Sequence, residues 1–217
     1  PNPLDEAISA AAPVETNACV KLDEIPFDFV RKRLGIVVQA GAAAELIVKG
    51  AVAHVLEACA TIHDGTAAQP LDAACRAALL ERFAAWSAQG FRVIAVATRT
   101  LPLQANYTRD DERDLTFCGF LRFFDPPKPG AQTAIAALSR LGVTIKIISG
   151  DNRFVTAHVA DLVGLTAPRI ITGAELNRLS DGALQHAVLQ GAHFAEVDPN
   201  QKERIIRALQ KTGHVVG

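Results

Sequence analysis

The 217-residue sequence contains no methionine, one tryptophan and one tyrosine, and only four cysteines. Those cysteines, Cys19, Cys59, Cys75 and Cys118, form no C-x-x-C pair and match no metal-ligand spacing, so they read as buried or idle thiols of a reducing compartment. No run approaches the eighteen or more apolar residues of a membrane helix, and no signal peptide opens the chain. A net charge of −1 gives no electrostatic case for nucleic acid or an acidic membrane surface. A hydrophobic content of 49% supports one large core or two small ones. The start at Pro1, the missing methionine and the ending Val215-Val216-Gly217, inside an apparent strand, suggest an excerpt of a longer protein.

Val143 to Asn152 is the most informative stretch. Val143-Thr144-Ile145-Lys146-Ile147-Ile148 is β-branched apart from its lysine and predicts a largely buried strand. Gly142 is suited to close the preceding helix in a left-handed turn. Ser149-Gly150-Asp151 then leads into Phe154, Val155, Val159, Leu162 and Val163 at helical spacing. Strand, short polar loop and helix is the arrangement at which ligands bind in open α/β sheets, and free N–H groups at a helix start favour an anion. The plainer reading is that Ser149, Asp151 or Asn152 caps the helix.

Upstream, residues 2–8 predict a helix start, 23–29 an irregular lead-in, and 34–39 with 45–49 a hairpin around Ala40-Gly41-Ala42-Ala43. Val52 to Cys59 predicts a helix, and Leu71 to Trp86 a long amphipathic helix ending at Gly90. Strands follow at 92–98 and 115–124, separated by a polar loop containing Asp110-Asp111-Glu112. The three prolines of Asp125-Pro126-Pro127-Lys128-Pro129 break regular structure and place a domain boundary near Phe124. Downstream the elements alternate: helix 130–141, strand 143–148, helix 152–163, strand 169–172, helical 174–190, strand 193–197, helix 199–211 and strand 214–217. That order predicts a doubly wound parallel sheet.

Several further residues have two readings. Lys202, one turn after Asp198-Pro199, suits a transferring phosphoryl group or is a solvated surface lysine. Lys49-Gly50-Ala51 is a ligand approach or a simple strand-to-helix corner. Arg31-Lys32-Arg33 holds phosphates or protects a sheet edge. Phe27 and Phe29 stack on a purine or plug a core.

Taken in order, these segments resemble the cytosolic part of P-type ATPases, cation pumps that form an aspartyl phosphate, and the resemblance covers essentially the whole chain. Lys49-Gly50-Ala51 is similar to the family's KGA motif, Asp125-Pro126-Pro127-Lys128 to its DPPR or DPPK hinge, and Ser149-Gly150-Asp151-Asn152 to its TGDN motif with Ser for Thr. Lys202 resembles the lysine of its P-x-x-K element. The phrases Asn2-Pro3-Leu4-Asp5-Glu6-Ala7, Asp23-Glu24-Ile25-Pro26-Phe27-Asp28-Phe29 and Gly213-His214-Val215-Val216-Gly217 look most like bacterial magnesium-transporting members.

The resemblance implies an antiparallel, hairpin-rich α+β nucleotide-binding domain over 1–123, its start truncated. It implies a partial, parallel-sheet phosphorylation domain of haloacid-dehalogenase type, a Rossmann-like α/β fold, over 124–217. It implies ATP and Mg2+ as cofactors, with Phe27 stacking adenine, and Lys32, Lys49 and Arg92 lining the base and phosphates. Gly50 would allow close approach, Asp5 would meet the adenine amino group, and Asp125 would sit at the hinge. Ser149, Gly150, Asp151 and Lys202 would hold the phosphoryl group. Glu196 stands where relatives carry a basic residue, implying one phosphate contact fewer. The motifs DKTGT and GDGxNDAP do not occur in the sequence. The resemblance implies that they flank it, that Mg2+ binds mainly through them, and that the stretch alone binds nucleotide without hydrolysing it. Its expected partners are the actuator and transmembrane domains of the parent pump at the cytoplasmic face of the membrane, and no nucleic acid. The alternatives are a nucleotide-sensing or partner-binding module, a soluble phosphatase of the same sheet type, and a pump for Ca2+ or H+.

Overall fold

The computed structural model describes residues 3–12, 20–165 and 169–217. The chain divides into two compact units, Pro1–Phe83 with Val93–Phe123, and Ala84–Arg92 with Phe124–Gly217. The Asn2 end of the predicted first helix, Cys19, and part of the link into the 169–172 strand lie outside the described residues.

In the first unit, helix α1 (Pro3–Ala11) precedes strand β1 (Lys21–Ile25), then the hairpin of β2 (Arg33–Ala40) and β3 (Ala43–Gly50). Helix α2 (Val52–Glu57), strands β4 (Cys59–His63) and β5 (Ala68–Pro70), helix α3 (Ala73–Ala88), and strands β6 (Phe91–Leu101) and β7 (Leu115–Phe124) follow, residues 84–92 and Phe124 being counted with the second unit. The seven strands form one sheet in the order β1-β2-β3-β6-β7-β4-β5. The pairs β1/β2, β2/β3, β3/β6 and β4/β5 are antiparallel, and β4/β7 is parallel. The hairpin turn leaves only Gly41 and Ala42 unpaired, and Gly41 takes φ +60, the left-handed geometry that a tight hairpin demands.

Alternation makes this sheet one-sided. Ala44, Leu46 and Val48 on β3, Val93, Ala95 and Ala97 on β6, and Leu115 and Phe117 on β7 turn to one face and are buried with Val52, Val55 and Leu56 of α2. Arg76 of α3 donates to the carbonyls of Leu56 and Cys59, closing the end of α2.

Three elements differ from the sequence expectation. Residues 21–25 are a strand, so the irregular lead-in predicted over 23–29 starts only after Ile25; the charges at Lys21, Asp23 and Glu24 suit an exposed sheet edge. Cys59 opens β4 and does not belong to the helix before it; burial pushes its thiol up to about 12. The polar turn 64–67 leads into β5, three residues whose composition carries no strand signal.

A buried charge cluster underlies this sheet. Glu112, 3% exposed, accepts hydrogen bonds from the guanidinium groups of Arg31 and Arg33, the latter at 2.9 Å. Arg33 also donates to the carbonyl of His54 at 2.8 Å.

In the second unit, α4 (Ala131–Arg140) ends in a left-handed Gly142 at φ +78, as its sequence predicts. Helix α5 (Arg153–Leu162), strand β8 (Ile170–Thr172), helices α6 (Gly173–Leu176) and α7 (Asp181–Leu189), strand β9 (His193–Ala195) and helix α8 (Pro199–Lys211) complete it. Strands β8 and β9 pair in parallel, and Ile148 adds a parallel bridge to Phe194. Ile171, Leu176, Leu184, Val188, Phe194, Ile205 and Leu209 form the core.

The stretch 143–148 joins the sheet only through that bridge and is not the full strand its β-branched residues predict. Val143 and Thr144 are exposed, and β propensity acts only where cross-strand neighbours exist. Residues 214–217 form no strand, and Val215 is fully exposed. The predicted helical region 174–190 is two helices, because Ser180 starts a new one by accepting from the Ala183 amide. Mixed α/β structure dominated by an antiparallel sheet, with a small parallel sheet in the second unit, is the resulting architecture.

Removing one side of a buried ion pair strands the other charge. Glu112→Ala is expected to lower the unfolding free energy by about 3–5 kcal/mol, read by urea denaturation followed by far-UV circular dichroism. A midpoint equal to that of the parent would mean that Arg31 and Arg33 reach solvent without it.

Candidate functional site

The candidate residues of the first unit gather around the start of β2 and the end of β3. In the hairpin register Leu34 faces Lys49 and Arg33 faces Gly50. The Ala51 amide donates to the Lys32 carbonyl at 2.9 Å. A Cβ on Gly50 would lie 2.6 Å from Arg33 Cβ and closer still to the Lys32 carbonyl oxygen. Gly50 is therefore required by close approach of its own chain: the corner is packed against residues 32–33. Lys49 projects from the opposite side of β3 to Ala44, Leu46 and Val48 and forms an ion pair with Asp5 of α1.

Residues 26–32 connect β1 to β2 as a tied loop. The Asp28 carboxylate accepts from the Val30 and Arg31 amides at 2.8 and 2.6 Å and from the Arg31 guanidinium. Arg31 also donates to the Pro26 carbonyl at 2.9 Å and reaches Glu112. The loop carries Phe27 and Phe29 outward, 48% and 60% exposed, with rings edge-to-face at 5.4 Å. Neither plugs the core. Lys32 adopts φ +49, and among the described residues no hydrogen bond or ion pair ties its half-buried side chain.

The second unit holds another group at the C-terminal edge of its parallel strands. The Ser149 hydroxyl lies 3.1 Å from Asp151 Oδ2 and accepts from the Asp151 amide at 3.0 Å. The Val197 and Glu196 amides donate to the carbonyls of Ser149 and Asp151, so the loop is laid against the exit of β9. Arg92, which belongs by its contacts to this unit, pairs with Asp151 Oδ1 at 2.6 Å. Gly150 has only the Val197 carbonyl near its hypothetical Cβ, at 3.6 Å, so the gap above it is open enough for a side chain.

Helix capping falls to Asn152, whose side chain accepts from the Phe154 and Val155 amides at 3.0 Å. That leaves Ser149 and Asp151 out of the cap. Asp198 caps α8 in a reciprocal box with Gln201, with Pro199 at the first helical position. Lys202 follows on the first turn, exposed and, among the described residues, unpaired. Glu196, in the left-handed region at φ +58, accepts from the Arg153 amide. Asp125 is exposed just past β7. Among the described residues, no group of three or more His, Cys, Asp or Glu is arranged to hold a metal ion.

Arg31 and Arg33, read in the sequence as phosphate holders or edge protection, are instead tied to Glu112, and the residues that sequence reasoning passed over are Asp28 and Glu112. Glu112 lay in a patch of three acids that reads as a solvated loop, and nothing in its local spacing marks it as buried.

The family model for the P-type ATPase cytoplasmic domain N matches residues 9–130. The chain belongs to the P-type ATPases. It is 40% identical to the "Magnesium-transporting ATPase, P-type 1" of Salmonella typhimurium over all of this chain and 25% of that protein. The Escherichia coli K12 protein of the same name is 39% identical over 91% of the chain and 22% of its own length. The "Probable cation-transporting ATPase F" of Mycobacterium bovis is 33% identical over 88% and 22%. The chain thus spans about a quarter of the length of these P-type relatives. The matched domain N contains Phe27, Lys32, Lys49, Gly50, Arg92 and Asp125. Among the described residues no helix is long and apolar enough to cross a membrane.

The Arg31 amide is the largest cause holding the Asp28 carboxyl below its ordinary value. A depressed carboxyl contributes stability above its unfolded value of about 4 and loses it as pH falls through the lower folded value. The amide resonances of Val30 and Arg31 are expected to titrate together below pH ~4 in an NMR pH series. A midpoint above that value would show that the turn is not held by the ionised carboxylate.

Proposed function

We propose that this chain is the ATP-binding cytosolic part of a cation pump, with Mg2+ the first candidate for its cargo. Residues 1–123 act as the nucleotide-binding domain and 124–217 as part of a phosphorylation domain of haloacid-dehalogenase type. In the whole pump, linked to actuator and transmembrane domains at the cytoplasmic face of the membrane, ATP held on the first domain delivers its γ-phosphoryl group to an aspartate of the DKTGT motif. Catalysis of that kind is mainly positioning and charge neutralisation.

The observation that carries this reading is the packing at Gly50, which fixes Lys49 and the 26–32 loop to one corner of the sheet. An exposed aromatic ring, a lysine unpaired among the described residues, and a second lysine with a carboxylate then lie on adjoining segments. Phe27 offers a flat apolar face to adenine. Lys32 and Lys49 offer positive charge to the phosphates, and Asp5 offers an acceptor to the adenine amino group. Arg92 serves the nucleotide phosphates, Ser149, Gly150, Asp151 and Lys202 serve the phosphoryl group, and Asp125 serves the hinge. Lys202 supports this with an exposed ammonium on the first turn of α8. The pair Arg92–Asp151 orients a guanidinium fork that is suited to phosphate oxygens. Mg2+ bound with the nucleotide would supply positive charge against that of the phosphates, held mainly by the DKTGT and GDGxNDAP motifs that this sequence does not carry.

Phe27→Ala is expected to weaken ATP binding by about 1–3 kcal/mol in isothermal titration calorimetry, the range for base stacking on an aromatic side chain. Lys49→Ala should lower affinity while leaving the ligand-free melting temperature nearly unchanged, since an exposed ion pair adds about 0–1 kcal/mol. Affinities equal to the parent in both variants would remove the corner from the site.

The 217 residues are expected to bind ATP without forming an acyl phosphate, because they carry no DKTGT nucleophile. The check is incubation with γ-labelled ATP and Mg2+ followed by an acid quench. Label retained on the protein, and lost in Asp151→Asn, would make Asp151 a nucleophile in place of an orienting group.

A further inference from the structure

Phe29 is the more exposed of the two loop aromatics, and nothing in the site described so far uses it. Its ring stands at 88° to that of Phe27, with centroids 5.4 Å apart. Two perpendicular rings make a corner. A flat base stacked on one ring brings its rim against the other, and the combination of face and edge contacts suits the opposite charge of aromatic faces and rims. A lone ring would let the base slide in the plane of the stack; a corner stops that motion in one direction.

Exposed apolar side chains on a connection between strands would ordinarily be mobile. Here the loop is held from three sides. Asp28 accepts the Val30 and Arg31 amides, Arg31 holds the Pro26 carbonyl, and Arg31 is itself tied to the buried Glu112. At the end of the loop the Lys32 amide donates to the Asp28 carbonyl, and the Lys32 carbonyl accepts from Ala51. Both aromatics are therefore presented on a fixed backbone, where the ordering cost of binding is already met.

We propose that Phe29 is a second base-contacting residue, forming with Phe27 a preformed aromatic corner for the nucleobase of a nucleoside triphosphate; this rests on the nucleotide-binding reading above. Asp28 and Arg31 are positioning residues that hold the corner and do not touch the base. The corner recognises the base and leaves the phosphates to Lys32 and Lys49.

The test is calorimetric titration of the chain with ATP, and separately with inorganic tripolyphosphate, which carries the charge without a base. Phe29→Ala is expected to weaken ATP binding about tenfold, leave tripolyphosphate binding unchanged and leave the melting temperature near that of the parent. Phe29→Trp should restore ATP affinity. Phe29→Ala should weaken binding by a similar factor when introduced into Phe27→Ala, because each ring makes its own contact. Three results overturn the proposal. If Phe29→Ala binds ATP like the parent while Phe27→Ala does not, the nucleotide reading stands and Phe29 has no part in it. If the effect of Phe29→Ala disappears in the Phe27→Ala background, Phe29 only steadies its neighbour. If the parent chain binds no ATP, the nucleotide reading itself falls, and the corner with it.

Discussion

The first unit depends on one carboxylate that has been taken out of water. Glu112 is held between two guanidinium groups, and both arginines sit at the entry to the central hairpin. Removing a carboxylate from solvent costs several kcal/mol unless it is paired and hydrogen-bonded. The cost is offset only if Arg31 and Arg33 come in from β2 and the loop before it, so burial of Glu112 and the course of residues 26–33 require one another. Arg33 Nη1 also donates to the His54 carbonyl, which extends the same constraint to the helix that follows β3. From one buried acid, the loop conformation, the packing at Gly50 and the outward direction of two aromatic rings follow.

The second unit uses a different device. Its loops at the strand ends are organised by backbone groups and caps: Asn152 for α5, Thr172 with Glu175 for α6, Ser180 for α7, Asp198 with Gln201 for α8. Each cap satisfies amides that would otherwise be orphaned at a helix start. With the caps assigned elsewhere, Ser149, Asp151 and Arg92 keep their polar atoms directed at one another. Gly173 lies so close to Gln201 Oε1 and the Glu196 carbonyl, 2.5 Å from each for a hypothetical Cβ, that the helix starts on this edge are locked together.

What could be read from residue order alone was whatever periodicity expresses. Strands β2, β3, β6 and β7 are apolar, largely β-branched or aromatic runs set between turn or polar segments, and α4, α5 and α8 carry caps or a terminal glycine, so their places and types were legible. Strand β1, with charges at Lys21, Asp23 and Glu24, and the short β5 exist because a neighbour offers hydrogen bonds, which no local pattern announces. The reverse happened at 143–148, where strong local propensity met a single bridging partner. In the site, Lys49-Gly50 and Ser149-Gly150-Asp151 were legible as corners between elements. Glu112 was not, since its burial is decided by arginines far upstream in the chain, and an acidic triplet is ordinarily solvated.

Lys32 occupies a backbone region that most residues with a Cβ avoid, at an expense of about 1–2 kcal/mol against glycine. Glycine would be the relaxed choice at that position, and it would abolish the ammonium group. Under the proposed function, folding and ligand recognition pull this one position in opposite directions. A variant library selected for thermal tolerance would be drawn toward Lys32→Gly, and with it toward sequences that have lost a charge from the proposed nucleotide site. A screen that ranks variants by heat resistance alone would discard the one side chain at this position on which the proposed nucleotide site draws.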